Sequence, residues 1–219
     1  MRLVRAAALL VSIAGVGVGW SQGPKTSAAD LAVLKRVDAH YNHLRTLRAR
    51  YTERYSGMGI ERTETGTVEL KRPGRMRWVT DAPAGKVYVL DGKFAWSYTP
   101  GAAEAVRTPA RVVEDVRSPL RFLLGHTELK KELEAVSVRP AGAGFVIAGV
   151  PKGMGDAERQ LLLTVTAAGV IERLRTERVD GSVTEFVFSG VEEGVALPDG
   201  DFRFVAPVGV AVVSRQAPV

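Results

Sequence analysis

The chain has 219 residues, 46% of them hydrophobic and 25% charged, which suits one globular domain with a sizeable core and excludes a disordered tail, a collagen and a coiled coil. It contains no cysteine, so a disulfide scaffold, a thiolate zinc site and a cysteine nucleophile are excluded together. Its 30 basic and 24 acidic residues leave a formal charge of +6, which permits an anionic partner without identifying one.

The N-terminus has the pattern of a secretory signal peptide. Arg2 and Arg5 precede fifteen uncharged residues, 6–20, a run shorter than the roughly 20 residues that a membrane-spanning helix needs. Small residues between Gly19 and Gly23 offer a cleavage site, and an uncleaved anchor is the alternative. We therefore expect a signal peptide over residues 1–21, a single domain over 22–219, and a location in the bacterial periplasm, where nucleic acid is not an expected partner.

A long amphipathic helix is predicted at the start of the mature chain. Ser27 and Asp30 have the spacing of a helix N-cap with an acidic residue in the first turn. Apolar residues then recur at steps of three and four, which predicts a helix of about 18 residues that packs one face on a sheet. This apolar stripe comprises Leu31, Leu34, Val37, Tyr41, Leu44 and Leu47.

Alternation of apolar and polar residues predicts about eleven strands after this helix. The predicted strands cover residues 51–56, 65–71, 75–79, 86–90, 93–98, 136–139, 145–150, 160–166, 170–179, 183–188 and 202–204. Two short helices are expected to interrupt them, one over residues 111–116 and one that has Ser118 as its N-cap, starts at Pro119 and ends at Gly125. An antiparallel sheet of this size must curl or close, because strongly twisted open sheets rarely exceed about ten strands.

The clearest local signal is Asp91-Gly92 between two alternating runs, which predicts a two-residue type I′ hairpin turn. That turn pairs Val89 with Phe94, and the more apolar face of the hairpin is expected to point inward. This face comprises Val87, Val89, Phe94, Trp96 and Tyr98.

A second hairpin is predicted at Asp180-Gly181, but its register stays open. A two-residue turn there sets Leu174 opposite Val187 and Arg173 opposite Phe188, so neither face is apolar throughout. We expect a bulge or a longer loop instead.

The sequence contains none of the motifs that indicate catalysis or cofactor binding. It lacks a G-x-S-x-G nucleophile elbow and a G-x-x-x-x-G-K-[ST] phosphate loop. His40 and His43 are spaced i, i+3 on the predicted helix, but a metal site needs a third ligand, so amphipathic helix positions are the favoured interpretation. We expect no catalytic residue, no metal and no cofactor, and an enzyme without a recognised motif remains an alternative.

The chain is rich in large apolar side chains, which either fill an ordinary core or line a cavity in the curled sheet. A sheet of about eleven strands encloses more volume than one helix easily fills, and the remaining apolar space would suit a lipid chain. We expect the lining to include Val68, Leu70, Met76, Trp78, Val87, Val89, Phe94, Trp96, Tyr98, Leu120, Leu123, Leu124, Phe186 and Phe188.

Five segments, in order along nearly all of the mature chain, resemble the periplasmic outer-membrane lipoprotein carrier (LolA-like) family. They are Leu44-x-x-Leu47-x-Ala49-x-Tyr51, Gly66-x-Val68-x-Leu70-Lys71-Arg72-Pro73-Gly74-Arg75-Met76-Arg77-Trp78, Val89-x-Asp91-Gly92-Lys93-x-x-Trp96-x-Tyr98-x-Pro100, Ser118-Pro119-Leu120-x-x-Leu123-Leu124 and Phe202-x-Phe204-x-x-Pro207-x-Gly209-Val210. Each segment alone is a weak signal, whereas five in the same order are a strong one. Met76 departs from the pattern, because this position is often Phe in the family.

The resemblance implies a mainly β (α+β) fold, an unclosed antiparallel β-barrel covered by a lid of α-helices. It implies a carrier that shields the acyl chains of lipoproteins and moves them from the inner to the outer membrane, acting as a monomer with an inner-membrane lipoprotein-releasing transporter and an outer-membrane receptor. By the same resemblance, Arg72 is expected to be a latch that hydrogen-bonds the lid-helix backbone in the empty form. Alternation gives independent support, since Arg72 shares a strand face with Val68 and Leu70, although a surface arginine at a strand end is the alternative. A periplasmic lipid-binding or envelope-stress-sensing module of the same fold is the alternative function.

Overall fold

The computed structural model describes residues 26–82, 85–110 and 128–215. They form two α-helices, α1 (Ala28–His43) and α2 (Leu129–Glu132), a 3₁₀ helix (Asp199–Phe202) and twelve strands. The strands are β1 (Thr46–Gly57), β2 (Ile60–Lys71), β3 (Arg75–Ala82), β4 (Val87–Asp91), β5 (Phe94–Tyr98), β6 (Glu104–Pro109), β7 (Leu133–Ala141), β8 (Gly144–Pro151), β9 (Glu158–Val165), β10 (Ile171–Arg178), β11 (Val183–Glu193) and β12 (Ala211–Ser214). The predicted signal peptide, the predicted helices over 111–125, and Leu120, Leu123 and Leu124 lie outside the described residues.

All twelve strands belong to one sheet, in the order β12-β6-β5-β4-β3-β2-β1-β11-β10-β9-β8-β7. Every neighbouring pair is antiparallel except β12 with β6, which is parallel. Because β12 and β7 end the order and do not pair with each other, the sheet is unclosed. The predicted unclosed, mainly antiparallel fold is therefore confirmed.

The strand count differs from the prediction at three places. β6 and β12 were not expected, because one is short with weak alternation and the other has only four residues. The strand predicted over 202–204 is wrong, since Phe202 ends the 3₁₀ helix and the next residues are irregular. In the part of the chain that the structure describes, no helix is long and apolar enough to cross a bilayer.

Helix α1 covers one face of the sheet, which we call the inner face. It begins with the predicted capping box, in which the Ser27 hydroxyl accepts from the Asp30 N–H and the Asp30 carboxylate accepts from the Ser27 N–H. The helix ends at His43, earlier than predicted, and Leu47 lies in β1. The reason is that Leu47, Ala49 and Tyr51 are all buried at a spacing of two, so the strand pattern already starts at Leu47.

The β4–β5 hairpin forms, but its register is shifted by two residues from the predicted one. Val89 lies opposite Trp96 instead of Phe94, so the two turn residues are Gly92 and Lys93. The Asp91 carboxylate accepts hydrogen bonds from the Lys93 and Phe94 N–H groups at 2.8 and 2.7 Å. Asp91, the last residue of β4, therefore stabilises the turn through its side-chain carboxylate. Gly92 supplies the positive φ of +92° that the turn requires.

The predicted inward placement of Val87, Val89, Phe94, Trp96 and Tyr98 is wrong. β3 pairs with β4 so that Met76 lies opposite Leu90 and Arg77 lies opposite Val89. Side chains that lie opposite each other share a face, so Leu90 is on the inner face with Met76, and the five predicted residues are on the outer face with Arg77. There the C-terminal segment covers them, with the Phe204 ring 5.4 Å from Trp96 and 6.0 Å from Tyr98.

The β10–β11 hairpin has the longer loop that was expected. Residues 179–182 connect the strands, and Leu174 lies opposite Phe186. Asp180 accepts hydrogen bonds from the backbone and hydroxyl of Ser182, at 2.8 and 2.6 Å. This register places Phe186 and Phe188 on the inner face, within the core that α1 covers.

Candidate lipid-binding face

Four aromatic side chains from three strands meet at the centre of the inner face, and we call them the aromatic floor: Tyr51 of β1, Trp78 of β3, and Phe186 and Phe188 of β11. The Trp78 ring lies 4.7 Å from Tyr51, 5.5 Å from Phe186 and 6.3 Å from Phe188, mostly edge to face. The two phenylalanine rings are stacked at 6.3 Å. Such pairs contribute about 0.5–1.5 kcal/mol beyond the area they bury, so the floor is a cohesive apolar surface.

The β2 strand passes under the Tyr51 ring at a glycine. A Cβ built on Gly66 would lie 2.1 Å from the Val79 carbonyl oxygen and 2.6 Å from a Tyr51 ring carbon. Only glycine admits the ring at this distance. The Tyr51 hydroxyl reaches the Thr80 hydroxyl at 2.9 Å, so the polar end of this ring is satisfied within the sheet.

Six of the predicted cavity residues are brought together on the inner face: Val68, Leu70, Met76, Trp78, Phe186 and Phe188. Sequence reasoning missed Tyr51, Leu90, Ala95, Leu161, Leu163 and Leu174, which are buried in the same cluster. Leu90 and Ala95 belong to the other face of the β4–β5 hairpin, which was expected from the sequence to point outward. Leu161 and Leu163 are buried two residues apart in a predicted strand. Their place on the inner face could not be predicted without the order of the strands in the sheet.

Helix α1 packs on this face through Val33, Leu34, Val37 and Tyr41, all of them buried. Polar contacts join the helix to the surrounding elements. Arg36 donates to the Ala167 carbonyl in the β9–β10 turn at 2.8 Å, and the Leu129 N–H at the start of α2 donates to Asp38 at 3.0 Å. Burial raises the pKa of Asp38, the hydrogen bond from the Leu129 N–H lowers it, and the nearby Glu128 raises it.

Tyr41 joins the last turn of α1 to both halves of the sheet. Its backbone carbonyl accepts a hydrogen bond from the guanidinium of Arg72, which follows β2. Its hydroxyl accepts a hydrogen bond of 3.0 Å from the Ile171 N–H at the start of β10. Burial raises the pKa of the Tyr41 hydroxyl, so the group is neutral. Partial burial also lowers the pKa of Arg72, which nevertheless stays charged because the pKa of a guanidinium is far above 7.

The two helix histidines do not converge on a metal site. His40 lies 2.8 Å from the Glu193 carboxylate of β11, and His43 contacts the Ala39 carbonyl of its own helix at 2.7 Å. Among residues 26–82, 85–110 and 128–215, no group of three metal-ligating side chains occurs. His40 is a further contact between α1 and the sheet.

Charged groups border the apolar face beyond Tyr51. Beyond Tyr51, Glu53 lies opposite Glu64, and the cations of Arg62 and Lys86 pair with these carboxylates. Burial raises the pKa of Glu53, Arg62 lowers it and Glu64 raises it further. Lys71 and Arg75 lie opposite each other on the outer face, where both bind the Asp199 carboxylate at 2.7 Å. With Glu53 and Glu64 at one end and Arg72 at the other, the inner face is an apolar, aromatic strip with polar ends, which suits a long aliphatic ligand with a polar head.

The fold itself recurs in a solved structure. An uncharacterized conserved protein from Thermus thermophilus superposes with a TM-score of 0.53 and 17% identity, covering 85% of this chain and 99% of that one. At this identity the comparison defines a class of fold, an open antiparallel sheet with a helix across its inner face.

The family is established by sequence. Residues 42–205 match the family described as Outer membrane lipoprotein carrier protein LolA. The outer-membrane lipoprotein carrier protein of Nitrosospira multiformis is 28% identical over 87% of this chain and 92% of its own, and that of Azotobacter vinelandii is 30% identical over 85% and 90%. The chain therefore belongs to the outer membrane lipoprotein carrier protein LolA family.

Proposed function

We propose that this protein is a periplasmic lipoprotein carrier that shelters acyl chains on its inner face and moves lipoproteins from the inner to the outer membrane. One observation carries the proposal: a contiguous apolar face with an aromatic floor lies under a helix whose last turn is held by two hydrogen bonds to Tyr41. A cover fastened by a few polar contacts can be released and closed again. Family membership supports the same function.

The energetics require such a shelter. Each methylene moved from water to an apolar site is worth about 0.8 kcal/mol, so one acyl chain of about fifteen methylenes represents about 12 kcal/mol. Several chains together exceed the limit of about 20 kcal/mol that non-covalent affinities reach. A carrier that used all of this transfer free energy for binding would not release its cargo. Part of the binding free energy must therefore be offset by the free energy needed to open the protein.

Arg72 is the proposed latch that supplies this offset. Its hydrogen bond to the Tyr41 carbonyl stabilises the closed position of α1, and loading requires the contact to break. A hydrogen bond from a charged donor contributes about 1.5–3 kcal/mol, enough to lower the cargo affinity by about tenfold to a hundredfold. The latch therefore favours delivery at the expense of affinity.

The predicted signal peptide over residues 1–21 supports a periplasmic location. The protein is proposed to be a monomeric, non-catalytic carrier that receives acylated lipoproteins from an inner-membrane lipoprotein-releasing transporter and passes them to an outer-membrane receptor.

Mass spectrometry of the material bound to the protein tests the proposal. The full chain is expressed in its own host, purified from the periplasm without detergent, and analysed both intact and after organic extraction. Acylated lipoprotein in a defined ratio to the protein is the expected result. Free lipid alone would favour the lipid-binding alternative. Absence of both after a block in delivery to the outer membrane, when a carrier should be saturated, would contradict the proposal.

A further inference from the structure

We propose that the indole N–H of Trp78 is a hydrogen-bond donor for an ester carbonyl of the bound acyl cargo, an inference that rests on the proposed function. Trp78 is only 7% exposed, and its Nε1 atom is closed off from solvent with no acceptor among the described residues. Buried indole N–H groups normally have a partner, because an unpaired buried donor is costly. The missing partner therefore points to a ligand.

The polar groups of the other fully buried aromatic residues at this face, Tyr41 and Tyr51, are satisfied. The Tyr51 hydroxyl is engaged by Thr80, and the Tyr41 hydroxyl accepts from the Ile171 N–H. Trp96, on the outer face, provides the internal comparison, because its indole N–H donates to the Asp91 carboxylate at 2.8 Å. Of the aromatic residues with an N–H or O–H on the floor, Trp78 alone has no partner among the described residues.

The chemistry of the cargo matches this donor. An indole N–H donates one hydrogen bond and accepts none. The ester groups that join acyl chains to glycerol present carbonyl acceptors and no donor, and they lie beside the aliphatic part of the lipid. Trp78 sits in the middle of the aromatic floor, so a chain lying on the floor brings its ester group within the same apolar region. When α1 is displaced by cargo, the indole N–H becomes available to that carbonyl.

This donor predicts selectivity that an apolar surface alone would not have. Two soluble probes separate the effects: dioctanoyl phosphatidylglycerol, which has two ester carbonyls, and its dioctyl diether counterpart, which has the same chain carbons but no carbonyl. Affinities are measured by displacement of a fluorescent dansyl-labelled fatty acid, with the wild-type protein, Trp78→Phe and the outer-face control Trp96→Phe.

The wild-type protein is expected to bind the ester probe about fivefold to tenfold more tightly than the ether probe, the effect of one neutral hydrogen bond. Trp78→Phe should keep the affinity for the ether probe and lose the preference, while Trp96→Phe keeps it. An ester-to-ether ratio that is the same in wild type and Trp78→Phe would overturn the inference while leaving the proposed function intact. Binding of neither probe to the wild-type protein would contradict both.

A direct readout does not depend on the variant folding. In the wild-type protein labelled with ¹⁵N, the Trp78 indole N–H resonance is expected to move downfield on binding of the ester probe and not of the ether probe. Equal shifts with both probes, or a shift of the Trp96 resonance in place of Trp78, would show that the carbonyl does not reach this donor.

Discussion

The guanidinium of Arg72 donates a hydrogen bond to the backbone carbonyl of Tyr41, one of the last carbonyls of α1. The final carbonyls of a helix have no partner within it, and they form the negative end of the helix dipole. A positively charged donor is therefore well matched to this position. The contact joins the β2–β3 turn to the helix that covers the aromatic floor.

Replacing Arg72 by leucine should loosen α1 without unfolding the sheet. We expect Arg72→Leu to lower the free energy of local opening of α1 by about 1.5–3 kcal/mol, seen as faster amide hydrogen exchange in residues 36–43. Because cargo no longer has to break this contact, the variant should retain lipoprotein and deliver it more slowly in a transfer assay. Arg75→Leu is the matched control, since Arg75 binds Asp199 and not α1. Normal delivery by Arg72→Leu with unchanged exchange in α1 would refute the latch.

The second contact of Tyr41 can be removed separately. Tyr41→Phe deletes the hydroxyl that accepts from the Ile171 N–H but keeps the carbonyl that binds Arg72. It leaves a buried N–H unpaired, so we expect the free energy of unfolding to fall by about 1–3 kcal/mol in urea denaturation. Tyr88→Phe is the control: the Tyr88 hydroxyl has no hydrogen bond with the described residues, and burial alone raises its pKa to about 12. An equal effect of both substitutions would contradict a specific role for Tyr41.

Gly66 is expected to tolerate no side chain. Gly66→Ala places a methyl group against both the Val79 carbonyl and the Tyr51 ring, so the strand or the ring must shift. We predict a loss of about 1–3 kcal/mol in the free energy of unfolding and a change in the near-UV circular dichroism of the aromatic floor. Gly155→Ala is the matched control, because nothing lies within 4 Å of a Cβ at that position. A neutral Gly66→Ala would mean that Tyr51 does not lie over β2 as described.

Asp91 predicts a pH dependence of stability. Burial alone would raise the pKa of Asp91, but hydrogen bonds from the Phe94 N–H, the Trp96 indole and the Lys93 N–H lower it below its ordinary value. The ionised carboxylate is thus favoured in the folded state. Its contribution to the free energy of unfolding is present above the ordinary carboxyl pKa of about 4, and it is lost as the pH falls through the lower, folded-state pKa.

Asp91→Asn should therefore destabilise the protein by about 1 kcal/mol at pH 7, and the difference from wild type should shrink in acid. Urea denaturation at pH 7, 4 and 2.5 measures both effects. Asp156→Asn, at an exposed position, should match the wild type at each pH. A difference that stays constant or grows toward low pH would contradict the role of the Asp91 carboxylate.

Much of the fold follows from alternation along the chain. The positions of ten of the strands and the helix start at Ser27 were predictable, because period-two patterns and a capping box are local signals. Alternation also grouped Val89 with Trp96 correctly. It did not decide which face of that hairpin meets α1, because Leu90 and Ala95 make the other face apolar too, and the choice depends on pairing with β3.

The candidate site was partly predictable for the same reason. Trp78, Phe186 and Phe188 are bulky residues at alternating positions, so their burial was expected, and family resemblance singled out Arg72. The partners of these residues were not predictable. The Tyr41 carbonyl and the Ile171 N–H are backbone groups from distant parts of the chain, and only the strand order brings them to one helix turn.

Site-specific photocrosslinking tests the central claim, that acyl chains bind on the inner face beneath α1, most directly. A photoreactive phenylalanine analogue is introduced at Phe186 on the inner face or at Phe94 on the outer face, and each protein is loaded with a triacylated lipopeptide and irradiated. We predict a crosslink to the lipid from position 186 and none from position 94. Crosslinking from position 94 without any from position 186 would contradict the account.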